Sequence, residues 1–205
     1  NLVHSLPNII QGNTLSSPFH IANEGSIQKF DFVVSNPPFK LDFSEYRNDL
    51  DNKKNKERFF AGIPNIPKKK KEKMPIYLMF IQHILYSLND DGKAAIVVPT
   101  GFLSGKGIDF KIRKHLIDNR IINSIISMPS NIFATTGTNV SILFINKEKK
   151  SESIKLIDAS NLGEEINDGD NLKTFLSEDD ENQIINAYNS EESITGLLDI
   201  IKYEQ

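Results

Sequence analysis

Apolar positions fall into short, nearly continuous runs separated by one long charged stretch and several breaks rich in Gly or Asn. Residues 1–11 read as the end of a helix and a short connection. Phe30–Ser35 (FDFVVS) is apolar but for Asp31 and its last residue, which predicts a strand buried on both faces, as in a parallel sheet. Pro75 opens a helix, IYLMFIQHILYSL, in which Ile76, Met79, Phe80, Ile84 and Leu88 recur at helical spacing. Asn89-Asp90-Asp91-Gly92 ends it. AAIVVP (94–99), IINSIISMP (121–129) and VSILFINK (140–147) predict three more strands, and IKLIDAS (154–160) a short fifth. Helices are predicted at FKIRKHLIDN (110–119) and at LSEDDENQIINAYN (176–189), the latter capped by Ser177. Thr100–Gly107 is a Gly-rich loop and residues 131–139 form another. Strand, helix, strand, helix, strand is the order of an open α/β sheet. The third and fourth strands are joined too tightly for a helical crossover, so that pair is expected to be antiparallel.

Residues 40–73 break the pattern. They show little periodicity and read as a long loop, a feature that in a compact domain is functional or disordered. They hold 11 Lys+Arg against 6 Asp+Glu, whereas residues 151–205 hold 3 against 14. The first segment suits a polyanion and the second repels one. The lysines of Lys53–Lys73 either track phosphates or form a solvated face. The acidic segment is expected to pack on the rest of the chain or on a protein partner. Two regions follow: residues 1–150 as the main α/β part, and residues 151–205 as an acidic extension.

No apolar run approaches the roughly 18 residues needed to cross a membrane, and the first residues lack a secretory pattern. A cytoplasmic location and no membrane partner are expected. The chain begins with Asn1 rather than Met, which suggests a fragment or a processed chain. Cysteine is absent, so disulfides, thiolate metal sites and cysteine nucleophiles are excluded. His4, His20, His83 and His115 show no metal-site spacing, and no metal is expected. His83 reads as a packed or half-exposed helix residue.

The candidate chemistry lies at the end of the first strand, where the chain reads Asn36-Pro37-Pro38-Phe39. Ligands in open α/β sheets bind outside the carboxyl ends of the strands. Asn36 offers an acceptor and two donors, and Pro37 a carbonyl with no competing N–H. Successive prolines hold those acceptors in place. Phe39 adds a flat apolar face. Two acceptors and a flat face suit a planar group bearing an exocyclic amine, whose lone pair can then be aimed at an electrophile. The same four residues also suit a rigid strand-to-loop turn.

QGNTL at 11–15 precedes this turn, and RFFAGIP, the helix PIYLMFIQHIL, AAIVVPTGFL and NIFATTGTNVSILFINK follow it. This ordered set resembles the modification (M) subunit of type I restriction–modification systems, within the N6-adenine DNA methyltransferases. The resemblance runs over nearly the whole chain. It implies a Rossmann-like class I S-adenosylmethionine-dependent methyltransferase fold, mostly parallel with an antiparallel strand near one edge. It also implies that the N-terminal half of that sheet, with its Gly-rich cofactor loop, is missing.

The residue roles that follow are those the resemblance implies. Asn36, Pro37, Pro38 and Phe39 match the catalytic tetrapeptide, with Asn36 and the Pro37 carbonyl on the adenine amine and Phe39 stacked on the flipped base. Gly12 and Asn13 match the segment lining the cofactor's adenine pocket, with Asn36 touching the cofactor from the other side. The family often has Asp where this chain has Asn13, and Asn still accepts a hydrogen bond. Phe133 falls where related enzymes supply a second aromatic wall, or else it is a core residue. The implied cofactor is S-adenosylmethionine. The implied partners are DNA, a specificity (S) subunit, a restriction (R) subunit and a second M subunit. The implied reaction is direct methyl transfer to adenine N6, although the chain alone is expected to be inactive. A protein glutamine-N5 methyltransferase, which grips an amide nitrogen in the same way, and a non-catalytic interaction fragment are the other readings.

Overall fold

The apolar runs of the sequence become the strands of one six-stranded sheet in a computed structural model that describes residues 9–133, 138–148, 151–169 and 171–203. The elements are β1 (Phe30–Ser35), α1 (Ser44–Leu50), α2 (Tyr77–Ser87), β2 (Leu88–Pro99), α3 (Ile108–Asp118), β3 (Ile122–Ser127), β4 (Val140–Asn146), β5 (Ser153–Asp158), β6 (Glu164–Asp168), β7 (Asn171–Phe175), α4 (Glu178–Asn189) and β8 (Leu198–Lys202). The helix end expected within residues 1–11, and His4, fall largely or wholly outside the described residues.

The strand order is β1-β2-β4-β3-β5-β8. β1 and β2 are parallel, as are β3 and β5. β4 runs against both β2 and β3, so the antiparallel pairing expected from the short connection is present. It lies inside the sheet rather than near an edge, and a second antiparallel strand, β8, takes the edge beside β5. Four of the six strands therefore point one way, and β1, β2, β3 and β5 all end on the same side of the sheet. The register of β2 against β1 jumps from Leu88 to Lys93 across two residues of β1, so Asn89–Gly92 bulges out of the ladder.

One face of the sheet is covered by α2 and α3. Ile96 and Val98 of β2 and Leu143 and Ile145 of β4 meet Ile81, Ile84, Leu85, Ile112 and Leu116 in one cluster of buried side chains. Each such side chain contributes about 1.5–3 kcal/mol by leaving water. No glycine closes α2. Instead Lys147 Nζ donates to the carbonyls of Leu85 (3.4 Å) and Leu88 (3.2 Å), and Lys29 reaches Tyr86 O, placing cations at the negative end of the helix. On the other face α4 covers Ile126, Ile157 and Leu198, with the Phe144 and Tyr188 rings 5.0 Å apart.

β1 departs from the expectation of a strand buried on both faces. Val33 packs on the core, but Phe32 is 75% exposed and Val34 86% exposed. The cause is position: among the described residues β1 is the edge strand, paired only with β2, and none of them covers the face bearing Phe32 and Val34. Residues 40–73 depart in the opposite sense. The segment is irregular outside α1 and two short 3-10 turns, as a loop would be, but it is packed: Phe43, Leu50, Phe59 and Ile63 are buried with Leu15, Met74, Ile76 and Met79 in a satellite core.

Beyond residue 151 the chain adds β5 and β8 to the same sheet, together with the β6–β7 hairpin and α4. Ser177 caps α4 as expected, and it does so in a reciprocal box: Asp180 N donates to Ser177 Oγ (3.2 Å) while Ser177 N donates to Asp180 Oδ2 (2.9 Å). Ser177→Ala is expected to cost about 1 kcal/mol of stability. An unchanged urea midpoint would show that the cap is not coupled to global folding.

Candidate functional site

Because four strands end on one side, the turns that follow them gather there. β1 delivers Asn36–Phe39, β2 delivers Thr100–Gly107, and β3 leads into the segment that carries Phe133. In the tetrapeptide Asn36 is exposed, Pro37 is buried and Phe39 is half-buried against the main core. The Tyr77 ring meets Phe39 edge-on, with centroids 6.4 Å apart, and meets Phe102 in the same way at 6.3 Å. Tyr77 Oη donates to Asp109 Oδ1 at 2.5 Å. Burial, and then the neighbouring Asp109 carboxylate, push the phenol well above its ordinary range, so it stays a donor. Arg113 ties the next loop down by donating to the carbonyls of Phe102 and Gly105, the latter at 2.7 Å. Phe39 thus rests on a ring that two hydrogen-bonded elements hold still.

The second expected site segment is a tight turn. Asn13 Oδ1 accepts from Leu15 N (3.2 Å) and Ser16 N (3.1 Å), and Ser17 N donates to Asn13 O (2.8 Å). A Cβ on Gly12 would lie 2.2 Å from the exposed Phe19 ring, which would then have to move away. Asn13 therefore shapes its own turn, and Gly12 lets Phe19 lie against it. A cleft of about 410 Å³ opens between this turn, β1 and α2, lined by Gly12, Thr14, Phe19, Phe30, Ser35 and His83 among others. Ser35 directly precedes Asn36, so the cleft runs from the Gly12–Thr14 turn to the foot of the Asn-Pro-Pro-Phe turn. A hollow of about 430 Å³ on the turn's other side is lined by Asn13, Leu15, Leu41 and Phe80. Phe133 is half-buried in a bend, and among the described residues no ring contact joins it to Phe39.

Arg58 and Gln82 escaped the sequence analysis. Arg58 is 5% exposed, and among the described residues no carboxylate pairs with it. Its Nε donates to His83 Nδ1 (3.1 Å), Nη1 to Leu15 O (2.8 Å) and Nη2 to Thr14 O (2.9 Å). Gln82 accepts from Ala61 N (2.8 Å) and donates to Gly62 O (3.0 Å). The signal in the sequence was the adjacent polar pair Gln82-His83 inside an otherwise apolar helix, together with the arginine that opens RFFAGIP. Desolvation lowers the Arg58 pKa to about 10. Desolvation, and then the Arg58 and Lys29 cations, hold His83 down at about 3, so Nδ1 is an acceptor at neutral pH.

Comparisons with known proteins bear on the family and the fold. The N-6 DNA Methylase family model matches residues 3–205. The chain belongs to the N-6 DNA methylase family. It is 34% identical over 165 residues to the type I restriction enzyme MpnII methylase subunit of Mycoplasma pneumoniae, covering 78% of this chain and 29% of that protein. It is 31% identical over 156 residues to the MjaIX methylase subunit of Methanocaldococcus jannaschii, covering 71% of this chain and 26% of that protein. The crystal structure of a type I restriction-modification methyltransferase subunit from Streptococcus thermophilus superposes with a TM-score of 0.70 at 26% identity, over 94% of this chain and 38% of that one. This N-6 DNA methylase chain thus shares the fold of the matching part of the Streptococcus thermophilus subunit and spans well under half the length of all three proteins. Among its described residues no helix is long and apolar enough to cross a membrane, and no group of three side chains could hold a metal ion.

The buried histidine fixes the sign of a pH effect. The folded state refuses a proton that the unfolded chain takes up below about pH 6.5, so stability is full above that pH and falls as pH drops toward 3. His115, also lowered by burial, acts in the same direction. For His83 the slope is expected to reach about 1.4 kcal/mol per pH unit. His83→Gln keeps an acceptor but cannot titrate, and it should flatten the change in urea midpoint between pH 7 and 5. An equal decline in wild type and variant would remove His83 as the cause.

Proposed function

We propose that this chain is the catalytic part of a DNA adenine-N6 methyltransferase, the modification subunit of a type I restriction–modification complex. One observation carries the reading. The Asn-Pro-Pro-Phe turn directly follows a parallel strand whose last residue, Ser35, lines a cleft that the Gly12 and Thr14 turn also lines. A base amine and a small-molecule donor could therefore meet at one strand end.

The cleft fits S-adenosylmethionine in size and chemistry. Its volume is in the range of small-molecule sites, and Phe19, Phe30 and Phe80 supply apolar surface beside the polar Thr14 and Ser35. Gly12 and its turn would hold the cofactor, with Asn13 shaping that turn and Asn36 only touching the bound molecule at the strand end. Bound S-adenosylmethionine supplies an electrophilic methyl group on a sulfonium, so neither a cysteine nucleophile nor a covalent enzyme intermediate is needed. The chain's own residues do the positioning. Asn36 Oδ1 and the Pro37 carbonyl accept the two amine hydrogens and direct the nitrogen lone pair out of the ring plane. Phe39 stacks on the flipped base, and Phe133 closes the opposite wall. The exposed lysines between Lys53 and Lys73 meet phosphates and set the register of the duplex.

The open edge of β1, with Phe32 and Val34 exposed, is where further sheet would pair and carry the Gly-rich loop for the rest of the cofactor. Recognition of the DNA sequence falls to the S subunit, and the R subunit and a second M subunit complete the assembly. Names of the relatives, which are methylase subunits of type I restriction enzymes, support those partners. An aqueous cytoplasmic setting follows from a DNA substrate.

The test is transfer of labelled methyl from S-adenosylmethionine to adenine N6 by the full-length protein with its specificity subunit. Asn36→Ala is expected to lower turnover by roughly 10³-fold, because it removes an interaction aimed at the reacting amine, while cofactor affinity changes little. Equal loss of cofactor binding would reassign Asn36 to the cofactor. Phe39→Ala should impair turnover more than duplex binding, and unchanged turnover would leave Phe39 a packing residue.

A further inference from the structure

We infer that Arg58 is a positioning residue for the cofactor turn: its guanidinium spans from α2 to two consecutive carbonyls of the Gly12–Leu15 turn and sets that wall of the cleft. The inference rests on the methyltransferase reading for the identity of the ligand, but not for the geometry.

A buried cation without a carboxylate partner is costly, and every donor it turns inward must find an acceptor. Arg58 finds three, and two of them are backbone carbonyls, of Thr14 and Leu15. A planar fork reaches two successive carbonyls in one fixed geometry, and a lysine cannot. The turn has its own Asn13 bonds, but these close only on Leu15, Ser16 and Ser17. They fix the local shape and leave the orientation relative to β1 and α2 undetermined. Arg58 supplies that orientation, with Leu15 (1% exposed) beneath it in the satellite core. The far end of the strut is rigid as well. His83 presents an unprotonated Nδ1, and Ser87 Oγ donates to His83 O (2.8 Å) one turn further along α2. Thr14 and His83 both line the cleft, so the strut runs along its wall without entering the space a ligand would fill. Arg58 acts through the turn rather than by touching the reacting atoms.

The experiment uses the full-length protein and two readouts, calorimetric titration with S-adenosylmethionine and hydrogen exchange at the amides of Leu15, Ser16 and Ser17. Arg58→Lys is expected to speed exchange at those three amides and to raise the cofactor Kd by roughly tenfold, as for the loss of buried hydrogen bonds. In DNA methylation it should raise KM for the cofactor while kcat at saturation stays within about threefold, a split that general destabilisation does not produce. His83→Leu removes one acceptor and leaves both turn carbonyls bound, so it keeps the test open if Arg58→Lys does not fold. A smaller shift in the same readouts is expected from it. Folded variants with wild-type exchange and wild-type Kd would overturn the inference. Faster exchange with an unchanged Kd would overturn the link to the cofactor. A wild-type protein that binds no S-adenosylmethionine would sink the reading of the cleft, and the exchange arm would still decide whether Arg58 holds the turn.

Discussion

Two adjacent polar side chains in one apolar helix hold the site side of this molecule together. Gln82 and His83 are both buried in α2, and each must satisfy its polar atoms inside the protein. They do so on the same distant segment, Gln82 through Ala61 and Gly62 and His83 through Arg58. That pairing pulls residues 58–62 across the helix, and Arg58 in turn pulls the Thr14–Leu15 turn onto it. Three stretches far apart in sequence are thereby fixed around one cleft. Apolar contacts alone would bring them near each other, whereas directional bonds with buried partners select one arrangement.

The opposite end of the cleft is fixed by different means. Two prolines restrict the backbone after β1, and no backbone donor at Pro37 or Pro38 competes for the acceptors there. Phe39 leans on Tyr77, which sits at the start of α2 and is pinned by Asp109 at the start of α3. Both ends of the cleft therefore refer back to α2, nine of whose eleven residues are buried. A helix so enclosed moves little, which suits a site whose chemistry is mainly placement.

Local signals made much of this legible. The strands at 94–99, 121–129 and 140–147 are uninterrupted apolar runs, and the antiparallel pairing followed from the length of one connection. Ser177 was readable because capping is a contact across three residues. Less local features were hidden. FDFVVS reads as a buried strand because composition reports what a strand can bury, whereas its exposure depends on its place at the sheet edge. Residues 40–73 read as loop because Phe43, Leu50, Phe59 and Ile63 have no period; they are buried one by one against α2 and the Leu15 turn. Arg58 was hidden by its type, since an arginine in a basic stretch reads as surface until its acceptors, 43 and 44 residues away, are known. At the site, the Asn36–Phe39 turn and the Gly12–Asn13 turn were readable as motifs. The strut between the second of these and α2 was not.

The charge asymmetry gains a meaning from the strand order. The basic segment follows β1, at one edge of the sheet, and packs against α2. The acidic residues belong to the segment that supplies β5 and β8 at the other edge, along with β6 and β7 and the first turn of α4. Under the proposed function a duplex is drawn to the β1 edge, where Asn36 and the cleft also lie, and repelled from the β8 edge. The field is thus aligned with the chemistry, and the net charge of -3 gives no hint of it. Affinity from such a lysine face falls steeply with salt, whereas the proposed grip on an amine by Asn36 and the Pro37 carbonyl would not. Under the proposed function, attracting the polyanion and holding one base are therefore separable by ionic strength.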